Sequence, residues 1–103
     1  MADCDAQRMV MSDRKHPIVN VESEASLILS LNDVYRNPPD VLKNRPCGVA
    51  YAEGALAGHL KAVRNKGEEF SEAVFNSIGK VNPSLAASLR TAVVSQDGHI
   101  EFK

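Results

Sequence analysis

"CGVAYAEGALAGHLKAV", residues 47–63, decides how the chain is read. Its apolar residues recur with helical spacing, yet Gly54 and Gly58 stand in its middle. Each glycine inside a helix costs about 1 kcal/mol relative to alanine, because its backbone has more freedom to lose. Two such positions four residues apart need a reason. Val49, Ala52, Leu56, Leu60 and Val63 form an apolar stripe on this helix. Ala50, Gly54, Ala57 and Gly58 form a neighbouring strip almost without side chains. Small residues at this spacing let a second backbone come unusually close. The expectation is that something packs tightly against Gly54 and Gly58. Two occupants fit: another helix of the same chain, or the same helix of a second subunit in a two-fold homodimer.

Working outward, this helix is expected over 46–66, with Lys61, Arg64 and Lys66 near its negative C-terminal end and Gly67 as a left-handed cap. Before it, "ESEASLILSLNDVYR" (22–36) reads as a first helix, capped by Ser23 or Asn20 and ended by "NPP", and "PPDVLKN" (38–44) as one turn begun by proline. After it, 68–80 and 82–95 read as two more helices, the second capped by Asn82 with Pro83 in its first turn. "QDG" makes a turn, and "HIEFK" alternates as a short strand or a loose end. Residues 1–16 lack hydrophobic periodicity and read as a flexible N-terminal tail, and "HPIVNV" (16–21) as an extended arm. The fold class is mainly α: a single domain over 17–103, a small bundle of about four helices.

The helical faces leave a residue of apolar positions. Leu27, Ile28, Leu31, Val34 and Tyr35 share one side of the first helix, with Leu29 nearly opposite. Phe75 points away from Phe70, Val74 and Ile78, and Val94 away from Leu85, Leu89 and Val93. These off-face residues either fill a second packing layer or touch another chain. Leu29, Tyr35, Phe75 and Val94 are the candidate partner-binding anchors.

The 103 residues carry a net charge of −1, without the basic excess of a dedicated nucleic-acid binder. No stretch has the apolar length of a membrane span or a secretion signal. With Cys4 in the expected tail, a framework disulfide is not anticipated, and a reducing cytoplasm is the expected location. Cys4, His16, Cys47, His59 and His99 lack the close spacings of a zinc site, so no metal and no cofactor are expected. His59 reads as a half-buried histidine with one bonded nitrogen. Cys47 opens a helix near Arg45, a setting that favours thiolate, and is the best nucleophile cue in the chain. A structural buried cysteine is the simpler reading.

A small α-protein with a close-packing groove and surplus apolar positions fits a regulatory module that binds another protein. Through "KNRPCGVAYAEGALAGHLKAV", where a Cys-Gly pair opens a long helix after a polar loop, the chain resembles the small helical anti-activators of bacterial quorum sensing, the QslA and TraM kind. That resemblance implies a dimeric, non-enzymatic inhibitor of LuxR-type transcription regulators. The alternatives are a small dimeric DNA-binding regulator using Lys61, Arg64 and Lys66, and an enzyme using Cys47.

Overall fold

The computed structural model describes residues 3–103, in which six helices and one short hairpin surround a single core. In chain order these are α1 (Cys4–Asp13), α2 (Val21–Arg36), α3 (Asp40–Lys43), α4 (Gly48–Asn65), α5 (Glu68–Val81) and α6 (Pro83–Thr91), followed by β1 (Val93–Val94) and β2 (Ile100–Glu101). The mainly α bundle is as expected, but the stretch read as a tail contains a helix. Residues 1 and 2 of that expected tail lie outside the described residues.

α4 is the axis. Ala50, Ala52 to Leu60 and Val63 are all buried, so this helix is surrounded on nearly every side. A helix made of small and apolar residues all round is a core helix. α2 and α5 pack on it and on each other, and α6 packs on α5. Ile28, Leu56, Leu60, Val63, Val74, Ile78 and Leu89 interlock between them, fully buried.

Local chemistry sets the helix ends. The Asn20 side chain accepts from Ser23 N at 2.8 Å, and that of Asn82 from Leu85 N at 3.1 Å, so each supplies an acceptor to a free first-turn amide. Gly67, between α4 and α5, has φ +118° and ψ 159°, a positive-φ conformation but not the left-handed helical one expected. α6 stops at Thr91 rather than continuing to 95. Ala92 turns extended, and β-branched Val93 and Val94 pair antiparallel with Glu101 and Ile100. The ending "HIEFK" is therefore partly strand.

α1 lies along α4 in the strip of small residues. A Cβ placed on Gly54 would collide with the backbone oxygen of Arg8, with the carbonyl carbon and Cα of Arg8 at 3.0 Å. One placed on Gly58 would collide with the His16 ring and lie 3.0 Å from Met11 O. The groove of Ala50, Gly54, Ala57 and Gly58 is thus filled from within the chain, and by the segment read as mobile. The two-fold seam between subunits is not needed to explain the glycines.

Cys4 and Cys47 are bonded as a disulfide, with Cα atoms 5.0 Å apart, so neither is the free thiol expected. The bond ties the first residue of α1 to the residue before α4 across 43 positions. With it falls the cysteine argument for a reducing location. Among the described residues, no helix is long and apolar enough to cross a membrane.

The glycines give a graded test by chemical denaturation at neutral pH. Gly54→Ala meets backbone that has no room to yield and is expected to lower stability by about 2 kcal/mol. Gly58→Ala, meeting mainly a movable ring, should cost less. Gly79→Ala, whose added Cβ would sit 3.6 Å from Ala86 Cβ in ordinary contact, should stabilise by about 0.5–1 kcal/mol. Equal effects at Gly54 and Gly79 would contradict a tight α1 seat.

Candidate functional site

The α1–α4 seam gathers much of the chain's ionisable chemistry. Arg8, Met11 and Ser12 share the inner face of α1, with His16 just beyond its end. Only Met11 is a large apolar residue, so this face is held largely by polar contacts.

Glu53, buried on α4, is the first hub. Its Oε1 accepts from Arg8 Nε at 2.9 Å, and its Oε2 accepts from Ile100 N at 2.9 Å. His99 Nδ1 stands 3.6 Å from the same Oε2. One carboxylate thereby joins α1, α4 and the hairpin. Arg8 also reaches Asp5 at 2.6 Å within α1. The Tyr35 phenol on α2 is held above its ordinary pKa by burial first, then by the charge of Glu53 and a hydrogen bond to it.

A second hub lies nearly two turns further along α4. His59 Nδ1 donates to Glu24 Oε1 of α2 at 2.6 Å, and both residues are buried. The His16 ring stacks against His59 with centroids 4.1 Å apart, tilted by 42°, and its Nε2 donates to Met11 O at 3.2 Å. His59 is therefore a buried histidine with a bonded nitrogen, much as the sequence suggested. Its partners are a buried carboxylate and a second imidazole. His16 is pushed below its ordinary pKa of 6.5 by burial first and by His59 next, with a smaller push from Arg14. Met11 O and the charge of Glu24 pull it the other way. Among the described residues, no cluster of three or more His, Cys, Asp or Glu is arranged to hold a metal ion.

The basic residues of α4 are committed inside the fold. Lys61 donates to Ser12 Oγ at 2.6 Å and to Gln96 O at 3.0 Å. Arg64 donates to Leu89 O at 3.2 Å and Ala92 O at 2.7 Å, closing the end of α6, and its burial lowers its pKa. Lys61 and Arg64 are thus clamps on neighbouring elements, while Lys66 is exposed beyond the end of α4.

Nor are the four expected anchors an open surface. Phe75 is 2% exposed and belongs to the core. Leu29, Tyr35 and Val94 are half-buried and packed against that core. The inward face of α2 centres on Ala25, Ile28 and Asn32, which leaves Leu27 outside. The large apolar side chains left open include Val41 of α3 and Val49 and Tyr51 of α4, at 75%, 40% and 44% exposure.

Of these three, Tyr51 lies near the disulfide. Beside it lies a cleft of about 460 Å³ lined by Gln7, Leu42, Arg45, Pro46, Tyr51 and Cys47 itself. Cys47 has φ +62°, a left-handed conformation uncommon for a residue with a side chain, and it stands immediately before α4. No match is found among family models, curated proteins or solved structures.

Two measurements check the hubs. Glu53→Ala removes the partner of buried Arg8 and of the Ile100 amide, and is expected to lower stability by about 3–5 kcal/mol in denaturant unfolding. The lowered pKa of His16 means that the unfolded chain takes up this proton first as pH falls. The stability linked to His16 is therefore full above about pH 6.5 and is lost as pH drops from there through the folded value, then levels off. His16→Gln should flatten that part of the stability–pH curve, whereas an unchanged curve would assign the acid loss to other groups.

Proposed function

We propose that the protein is a non-enzymatic regulatory module that acts by occupying the surface of another protein. The observation that supports this most is the grouping of Val41, Val49 and Tyr51 within eleven residues of α3 and early α4, each exposed by 40% or more. Lys43, Asn44 and Arg45 are exposed between them in the sequence. Apolar anchors within a polar rim are the usual anatomy of a recognition surface. This segment, in place of Leu29, Tyr35, Phe75 and Val94, is the proposed contact region.

The quorum-sensing resemblance makes a LuxR-type transcription regulator the proposed partner, disabled through its own association surface. A homodimer, implied by the same resemblance, would have to use a surface other than the glycine groove, which α1 occupies. The binding reading works for a monomer or a dimer.

The test mixes the purified protein with a LuxR-type regulator and follows complex formation by sedimentation and release of the regulator from its DNA. A complex in the micromolar range or tighter is expected. Val41→Glu and Tyr51→Glu should each weaken it by roughly tenfold or more while the helical spectrum is retained. Failure to form a complex, or full binding by both variants, would overturn the assignment.

A further inference from the structure

The Cys4–Cys47 bond joins two sulfurs in unlike surroundings. Cys4 is exposed at the start of α1, where the Asp3 side chain already accepts from the Asp5 and Ala6 amides at 3.1 Å. Cys4 is also flanked in sequence by the carboxylates of Asp3 and Asp5. Cys47 is half-buried at the head of α4, an 18-residue helix, and Arg45 lines the same cleft. The Cys47 side chain accepts no hydrogen bond from the first-turn amides. It stands at the positive end of the helix dipole, however, and a guanidinium in the same cleft adds positive charge; both favour negative charge on sulfur. The cleft reaches Cys47 and carries one cation and no carboxylate in its lining. A volume of about 460 Å³ is within the usual range of small-molecule sites.

We propose that Cys4 and Cys47 form a thiol–disulfide exchange site for an anionic low-molecular-weight disulfide of the glutathione class, with Cys47 as the exchanging sulfur and Cys4 as the resolving one. In the reduced protein the Cys47 thiolate attacks one sulfur of the bound disulfide. A Cys47–glutathione bond forms, the ligand's S–S bond breaks, and a glutathione thiolate leaves. Cys4, having given up its proton to solvent, then attacks Cys47 Sγ in line and expels the second glutathione thiolate, closing Cys4–Cys47. Each departing thiolate takes a proton from solvent. The protein dithiol is oxidised by two electrons and one glutathione disulfide is reduced to two glutathiones. In the reverse direction, glutathione enters the cleft, attacks Cys47 and displaces Cys4 on the far side. This direction fits a cleft lined by Cys47 and not by Cys4. The exchange sets whether α1 is covalently fastened in its groove. It stands independently of the binding function proposed above.

The experiment uses the full chain without any partner, reduced and then mixed with glutathione disulfide at neutral pH, quenched with acid and mapped by mass spectrometry. The mixed disulfide should appear first on Cys47. In Cys4→Ser it should accumulate there, at a rate about tenfold or more above that at Cys4 in Cys47→Ser, as expected for the larger thiolate fraction. Arg45→Glu should slow oxidation by glutathione disulfide several-fold but spare or speed oxidation by cystamine, a cationic disulfide. Should a serine variant fail to fold, the wild-type intermediate and the Arg45→Glu comparison still decide. In oxidised wild type, millimolar glutathione should open the bond under native conditions and speed hydrogen exchange over residues 4–13. A bond that opens only after denaturation would overturn the proposal and leave a structural staple. So would equal rates at the two cysteines, or an Arg45→Glu variant that treats both disulfides as wild type does.

Discussion

The seat of α1 against the bare strip of α4 is the constraint on which the rest of this molecule depends. At Gly54 the two backbones approach so closely that even a methyl group would collide with Arg8. That closeness brings Arg8 onto Glu53, Ser12 onto Lys61 and His16 onto His59. Each contact is directional and short, and none would form across a groove widened by side chains. The entropic disadvantage of glycine within a helix is therefore offset by what lies above it.

The seam also shows where the many ionisable groups near the centre of the molecule spend their polar atoms. Glu53, His59, Lys61 and Arg64 recur along α4, and each spends its polar atoms on a different neighbour: α1 and the hairpin, α2, α1 and the 95–98 turn, and the end of α6. Buried polar groups must be paired, and once paired they fix the relative placement of the elements they join. The hydrophobic core, by contrast, is built mainly by α2, α4, α5 and α6 and involves α1 little. Cohesion and registration are thus divided between two sides of one helix.

This division accounts for what was legible in the sequence. The helices that enter the apolar core were visible, because core burial leaves a 3.6-residue period. Asn20, Asn82 and Pro83 marked helix starts because capping is local chemistry. The close contact at Gly54 and Gly58 was legible as well, from the disadvantage of those residues anywhere else in a helix. The identity of the occupant was not. α1 docks through Arg8, Ser12 and a cross-link, which leave almost no apolar period to detect. Asp3 before a run of helix formers was its one local signal. On α2, buried Glu24 and Asn32 disguise the inward face, so that the apolar pattern marks Leu29 as an outlier and Leu27 as core. Phe75 falls off the apparent face of α5 because α6 covers a second side of that helix, a packing layer that a single apolar face does not reveal.

The position of the disulfide follows the same logic. α1 is short and its contact face is largely polar, so apolar burial contributes little to holding it. A covalent bond ties Cys4, the first residue of α1, to Cys47, the residue before the helix on which α1 rests. One bond therefore fixes one end of the seam, while Arg8, Ser12 and His16 secure the remainder. Had the bond joined the C-terminal end of α1, where the chain already continues into α2, it would have restrained little that was not already tethered. The chain closes its seam at one end by covalent connection and at the other by its own continuity.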